Sequence, residues 1–316
     1  MKKGVNHFLK EKVKRAELYE FINLYRRDFS IERMAKIFGV SRSAYYQYSR
    51  GNLSKKEIIN SQLRPLLIKA FINSKGEYGT RRLQLLLRRL DIYVGRKRIA
   101  KLMKELGLYA KARRKFKVTT NQSKRPYYVA PNLLKQKFMV EAPNEVWVSD
   151  ITYVPTNEGW LYLATVVDLF SRKVVGLAMS QRITADLVLR AVNQAVKRRQ
   201  PDSGLILHSD RGSQYTSRVY HQLTKKHRIR LSMSSTGNCY DNAVAESFFH
   251  TLKLAVVHDQ KYQTRNQAMR CIFEYVEVFY NRQRMHSTLN YLSPEEFERN
   301  YFNQPQYPIA KCLVKG

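Results

Sequence analysis

The sequence predicts a basic, all-α front end followed by an α/β domain built on a mixed sheet. Three observations carry this. Charge is lopsided: residues 1–140 hold 35 basic and 9 acidic side chains, whereas residues 141–316 hold 22 and 16. Two stretches of the basic half have the layout of helix-turn-helix units. From Asn144 onward, short apolar runs alternate with helical stripes. With 316 residues and a hydrophobic share of 44%, the chain is long enough for two or three domains with real cores.

The first unit is Ile31-Glu-Arg-Met-Ala-Lys-Ile-Phe-Gly-Val-Ser-Arg-Ser-Ala-Tyr-Tyr46. Ala35 is small where two helices cross, Gly39 can take the positive φ of the turn, and Ser41 can cap the second helix. Val40, Ala44 and Tyr45 supply its apolar side, leaving Arg42, Ser43 and Tyr46 outward as candidate DNA contacts. A second unit spans Tyr78 to Leu108. Leu83, Leu86, Leu87 and Leu90 form one face of a helix over 81–90, and Ile99, Leu102 and Met103 face inward from a helix over 96–106. Arg81, Arg82, Arg88, Arg89, Arg96, Lys97 and Arg98 are expected outside, where Arg81, Arg82, Arg96, Lys97 and Arg98 are the candidate DNA contacts. A basic run follows, in which Arg113, Arg114 and Lys115 are expected to track phosphates. Pro126, Pro131 and Pro143 make the rest an extended connector.

In the second half, strands are predicted at 146–154, 161–168, 173–180, 205–209 and 229–232, with a turn over 155–159. Helices are predicted at 184–198 and 217–226. Ala185, Val188, Leu189, Val192, Ala195 and Val196 form the apolar stripe of the first. Three antiparallel strands followed by helix, strand, helix, strand is the ribonuclease-H-like order. The domain reading is therefore a helix-turn-helix region over 1–55, a second over 56–110, a basic linker over 111–143, the catalytic core with C-terminal helices over 144–300, and a tail over 301–316.

A formal charge of +32 calls for a polyanionic partner, nucleic acid before membrane. No apolar run reaches the ~18–20 residues of a membrane span, and the N-terminus lacks the apolar segment of a secretory leader. Three well-separated cysteines, Cys239, Cys271 and Cys312, argue for a reducing, cytoplasmic setting and against a zinc finger.

Three acids stand out by position. Asp150 lies within the first strand, Asp210 directly after the fourth, and Glu246 in a helix that Asp241 could cap, with Lys253 two turns further along the same face. Strands one and four are neighbours in this topology, so Asp150 and Asp210 meet at one sheet edge. Converging carboxylates repel, and magnesium or manganese ions supply the missing counter-charge while leaving room for phosphate oxygens. Two such ions suit phosphodiester transfer.

Long motifs then carry a family resemblance. They are Trp147-Val-Ser-Asp-Ile-Thr-Tyr153, Asp168-Leu-Phe-Ser-Arg172, His208-Ser-Asp-Arg-Gly-Ser-Gln-Tyr215, the 237–249 segment from Gly237 to Phe249, and Tyr280-Asn-Arg-Gln-Arg-Met-His-Ser287. The chain resembles DDE transposases of the IS3 family of bacterial insertion sequences, whose core is related to retroviral integrases. The resemblance implies Asp150, Asp210 and Glu246 as the catalytic, metal-holding triad, with 59 and 35 residues between them. It implies that Lys253 contacts DNA near the reacting end. It also implies 3′-end cleavage and strand transfer on terminal inverted repeats and target DNA, by an assembly of at least two protomers at the nucleoid. No sustained heptad precedes Arg42, so the chain resembles the downstream reading-frame product, and an upstream product is a candidate partner. A DNA-binding regulator that does not cut and a structure-selective nuclease are the competing classes, separated by metal-dependent product formation. Trp147 and His208 each have a core reading beside a site reading. For Tyr280, Asn281, Arg282, Arg284 and His286, packing competes with a DNA path.

Overall fold

The computed structural model describes residues 15–51, 55–111, 126–135, 139–235, 243–257 and 260–303. The chain forms two compact units, residues 1–70 with 95–108, and residues 71–94 with 109–316.

The first unit holds α1 (Arg15–Tyr25), α2 (Ile31–Phe38), α3 (Arg42–Ser49) and most of α4 (Lys55–Asn73). Ser30 and Ser41 cap α2 and α3, accepting the N–H groups of Arg33 and Ala44. Gly39 turns the chain between them at φ 62°, the left-handed conformation expected for this position. Ile22, Met34 and Tyr45 form a small core, flanked by Tyr19, Phe29, Ile31, Phe38 and Val40. After α5 (Thr80–Arg88), which belongs to the second unit, α6 (Arg96–Glu105) returns to the first. The segment expected as a second helix-turn-helix is thus divided between the two units.

The faces of these helices depart from expectation at three places. Leu90 lies past the end of α5 and is exposed. Arg82 is half-buried with its guanidinium 5.6 Å from the Tyr78 ring centroid, and its Nε makes no hydrogen bond. Arg98 donates to the Asn60 side chain at 2.8 Å and the Lys56 carbonyl at 2.9 Å, which fixes it within the first unit.

The second unit contains β1 (Val146–Thr156), β2 (Gly159–Asp168), β3 (Val174–Ser180), α7 (Ala185–Arg199), β4 (Ile206–Ser209), α8 (Arg218–Lys226), β5 (Arg230–Met233) and α9 (Ala243–Val256). It ends with α10 (Arg265–Glu274), a π-helical stretch over Tyr275–Tyr280, and α11 (Pro294–Phe302). The sheet order is β3-β2-β1-β4-β5, antiparallel through β1 and parallel through β4 to β5. This is the ribonuclease-H-like arrangement. The β1–β2 strands pair as far as Thr156 with Gly159, so the turn is two residues shorter at its start and one at its end than the 155–159 expectation.

The stripe of α7 that packs on the sheet differs in part from the predicted one. Val188, Val192 and Ala195 are buried as expected, Leu187 and Ala191 join them against Ala164, Val166, Val175 and Ala178, and Ala185, Leu189 and Val196 are only half-buried at its margin. Gly176 permits this approach, because a Cβ there would lie 2.2 Å from the Ala191 carbonyl oxygen. The 126–134 stretch contains no regular element, but it is pinned to the second unit: the Tyr127 and Tyr128 N–H groups donate to the Thr216 carbonyl, and residues 130–133 lie against β5. Pro131 accepts from Met233 N–H, and Leu133 N–H donates to the Ser232 hydroxyl at 2.9 Å. Among the described residues no helix is long and apolar enough to cross a membrane.

Candidate active site

Strand register decides where the first two acids lie. The last parallel pair of β1 and β4 joins Val148 to His208. Asp150 and Asp210 each stand two residues beyond that pair, Asp150 still within β1 opposite Thr165 and Asp210 just past the end of β4, so both lie at the same level of adjacent strands. Asp150 accepts the Ile151 N–H at 2.7 Å, and Asp210 accepts the Gly212 N–H at 2.9 Å. Glu246 sits in the first turn of α9, and Lys253 follows two turns later. Helix α9 packs against β1, which brings its acid and its lysine to the Asp150 end of the strand. All four side chains are half-buried.

The electrostatics are those of a crowded anionic site. Burial pushes the Asp150 carboxyl well above the usual carboxylate range. The neighbouring Asp210 and Glu246 charges add to the rise, while the Ile151 N–H and Lys253 oppose it. Burial also raises Asp210, against the Gly212 N–H, and raises Glu246. Lys253 is lowered by burial and partly restored by Tyr153 and Asp150. Its Nζ lies 5.0 Å from the Tyr153 ring centroid. Among the described residues, no three His, Cys, Asp or Glu side chains are gathered at metal-ligating spacing. The carboxylates feel one another without forming a closed cage.

Behind the acids the packing is aromatic. Tyr215 is buried, with its hydroxyl 3.0 Å from that of Ser149, and its ring meets Tyr220 edge-on at 5.4 Å. Burial, with Asp150 and Asp210 adding, drives the Tyr215 phenol well up, so it stays protonated behind the site. Thr165, which faces Asp150 across the β1–β2 ladder, buries a hydroxyl that makes no hydrogen bond within the protein.

The ambiguous motif residues resolve toward structure. Trp147 is wholly buried, and its indole N–H makes no hydrogen bond. His208 is buried between the Ser232 and Ser234 hydroxyls, at 2.8 and 3.2 Å. Asn281 clamps both the N–H and the carbonyl of Val174 on β3. Arg284 pairs with Glu77 at 2.7 Å in the interior, Tyr280 is buried, and Arg282 is exposed beside Glu295. The DNA-path reading of this motif gives way to packing for Tyr280, Asn281 and Arg284, because each is consumed by a specific partner or by the core.

Arg42, Ser43 and Tyr46 are exposed on α3, where Arg42 also reaches Glu32 at 3.2 Å. Arg96 and Lys97 are exposed at the start of α6, and Arg81 is exposed on α5 in the second unit, 5.2 Å from the Tyr291 ring centroid. Arg113, Arg114 and Lys115, like Gly237, Cys239 and Asp241, lie outside the described residues. Sequence reasoning missed one buried ionic group. Asp168 accepts the Asn144 and Phe170 N–H groups and meets Arg199 at 3.2 Å, while Arg199 and Lys173 meet Glu298 at 2.5 and 3.3 Å. Only the basic end of α7 hinted at it, since partners 31 and 99 residues away share no local pattern.

Comparison with known proteins agrees with this architecture. Integrase core domain models match residues 140–239 and 246–302, and an HTH-like domain model matches residues 59–116. The chain is 46% identical over 268 residues to the insertion element IS600 uncharacterized 31 kDa protein of Shigella sonnei, covering 85% of this chain and 98% of that one. It is 41% identical over 282 residues to transposase InsF for insertion sequence IS3A of Escherichia coli strain K12, covering 89% and 98%. Among solved structures, the HTLV-2 integrase catalytic core domain in complex with magnesium is 16% identical with a TM-score of 0.40, covering 49% of this chain and 97% of that one. With such identity over nearly the full length of both relatives, the chain belongs to the IS3 family of insertion-sequence transposases, its integrase core preceded by an HTH-like domain.

Proposed function

We propose that this chain performs the strand chemistry of DNA transposition, 3′-end cleavage followed by strand transfer, with Asp150, Asp210 and Glu246 as its catalytic carboxylates. One observation carries the reading: the shared register of Asp150 and Asp210 past the Val148–His208 pair, with α9 packed alongside.

The donor set fits a divalent cation. All three groups offer hard carboxylate oxygens, and the elevated Asp150 carboxyl marks a place where added positive charge lowers the cost of ionisation. Two magnesium ions, with manganese as substitute, are the proposed occupants. When bound they activate the attacking hydroxyl and stabilise the leaving oxygen. The chain's own residues do the rest. The Ile151 and Gly212 N–H groups orient two carboxylates, and the Tyr215–Tyr220 layer closes the site from behind. Lys253, held against Tyr153, stands ready for a phosphate of the reacting strand. Attack by water breaks the P–O3′ bond at the element end, freeing its 3′-OH and leaving a 5′-phosphate on the flank. Attack by that 3′-OH on a second phosphodiester forms the new P–O bond and displaces the 3′-oxygen of the strand attacked.

Duplex DNA is gripped through Arg42, Ser43 and Tyr46, through Arg96 and Lys97, and through Arg81, with the basic run at Arg113, Arg114 and Lys115 on intervening phosphates. Element ends and target are held by at least two protomers in the cytoplasm at the nucleoid, with an upstream reading-frame product as a further partner. The test uses labelled DNA from the flanks of the gene, magnesium against calcium, on a denaturing gel. Asp150→Asn, Asp210→Asn and Glu246→Gln should each abolish nicking and joining while leaving DNA binding within about threefold. Retained cleavage in any of them overturns the assignment.

A further inference from the structure

The hairpin that carries Asp150 also carries an aromatic ledge that the chemistry above does not use. Tyr153, on β1, is 37% exposed, and Trp160, on β2, is 49% exposed. Tyr153 pairs with Tyr162 and Pro155 with Trp160, so Tyr153 and Trp160 are diagonal neighbours on one face. Their rings meet at 4.8 Å and 78°. Lys253 Nζ stands 5.0 Å from the Tyr153 centroid, so a cation whose charge Asp150 feels lies against the ledge.

The ledge is braced. Arg265 Nε donates to the Trp160 carbonyl at 3.1 Å, and its backbone N–H donates to the Glu158 carboxylate at 2.8 Å. Asn157 N–H donates to the Tyr262 carbonyl at 2.9 Å, and its amide donates to Gln263 at 2.6 Å. Two large rings are thus fixed half-open beside an ammonium group. Aromatic faces with an adjacent cation are the ingredients of single-strand nucleic-acid sites.

We propose that Tyr153 and Trp160 form a stacking ledge for an unpaired nucleobase of the DNA end being processed, with Lys253 on the neighbouring phosphate. The inference rests on the reading of Asp150 as catalytic. A nucleobase is favoured over an apolar protein side chain by the lysine at the ledge and by the +32 charge of the chain. Recognition is by π-face, so it is tolerant of base identity.

The chain has two tryptophans, and Trp147 is wholly buried. In a Trp147→Phe protein the fluorescence therefore comes from Trp160 alone. That protein is titrated in calcium with an element-end duplex carrying unpaired terminal nucleotides, and with the same DNA made abasic at those positions. Trp160 emission should fall with the base-bearing end and not with the abasic one. Trp160→Ala and Tyr153→Ala should weaken binding of the frayed end by ~5- to ~150-fold, the range for loss of one stacked base. Binding of a fully paired duplex should stay nearly constant, and Tyr153→Phe should restore the frayed-end affinity. Unchanged emission with equal affinity for basic and abasic ends overturns the ledge, as does an equal loss on paired DNA. If Trp147→Phe fails to fold, 2-aminopurine at the unpaired positions gives the same readout with wild type. Asp150→Asn separates the two readings, since its ledge is intact. Quenching lost in the ledge variants and kept in Asp150→Asn supports stacking, whereas cleavage surviving in Asp150→Asn overturns only the catalytic assignment.

Discussion

Asp150→Asn should stabilise the protein without divalent ions while abolishing cleavage. The sign follows from the direction of the shift. The folded carboxyl titrates above the unfolded one, so on raising pH the unfolded chain loses its proton first, and stability falls until the folded group has also ionised. Above the pH at which the folded group ionises, that cost is present in full. An amide of the same shape avoids it and still accepts the Ile151 N–H through its oxygen.

Relief of this kind is worth about 1–2 kcal/mol, the usual size of a single stabilising substitution. In a unit as large as residues 71–94 with 109–316, each kcal/mol moves the melting midpoint by about 2–4 °C, so the gain should be ~2–8 °C. Magnesium should reverse the ranking. At a hundredfold excess over Kd, an ion bound by the folded state alone adds about 2.7 kcal/mol, or ~5–10 °C, to wild type and far less to the variant. Differential scanning fluorimetry in EDTA and in magnesium reads both effects on one plate. A variant that melts lower than wild type in EDTA and keeps the full magnesium shift would refute the reasoning, because Asp150 would then be a satisfied structural acid.

Glu298→Gln should behave oppositely, losing about 3 kcal/mol in urea unfolding, because it removes the buried partner of the half-buried Lys173 and leaves Arg199 with Asp168 alone; a loss below about 1 kcal/mol would show that the cluster is already solvated. Gly176→Ala should cost about 1–3 kcal/mol or more, since the new methyl meets the Ala191 carbonyl at 2.2 Å and both are backbone-fixed; an unchanged midpoint would mean that α7 can slide. His286 is held well below its usual pKa by burial and by Arg284, Arg82 and Arg172. The unfolded chain therefore takes up the proton first as pH falls, and the imidazole should cost about 1.4 kcal/mol of stability between pH 7.5 and 5.5. Comparing that pH slope in wild type and His286→Gln isolates the imidazole, and equal slopes would contradict the assignment.

Much of this architecture was legible in the sequence because its signals are local. Alternating apolar residues put all five strands within two residues of their observed ends, and Gly39 and Ser41 act as the turn and cap their chemistry suggests. The sheet order, with β1 beside β4, followed from those elements. What failed was local in inference and distant in cause. Periodicity turns Arg82 outward, but Tyr78 covers it and the Arg284 charge lies nearby, about two hundred residues further on. The Tyr280–Ser287 motif reads as a basic surface until Asn281 is seen bonded to both backbone groups of Val174 and Arg284 to Glu77. Identity and spacing assign a side chain its chemistry, and only the fold decides whether a partner has already consumed it.

Two aspartates on neighbouring strands show the difference. Asp168, at the end of β2, and Asp150, on β1, are both raised chiefly by burial. Asp168 accepts two backbone N–H groups and meets Arg199 at 3.2 Å, so its charge is answered inside the protein. Asp150 accepts one N–H from its own strand and feels two further carboxylates, opposed by the charge of Lys253. The interior therefore has the means to neutralise an aspartate and applies them unevenly. A buried carboxylate kept short of compensation in the company of two others costs stability, and that cost is repaid only when positive charge arrives from outside. By this reasoning Asp168 belongs to the architecture, and Asp150, Asp210 and Glu246 are the acids we propose for the chemistry.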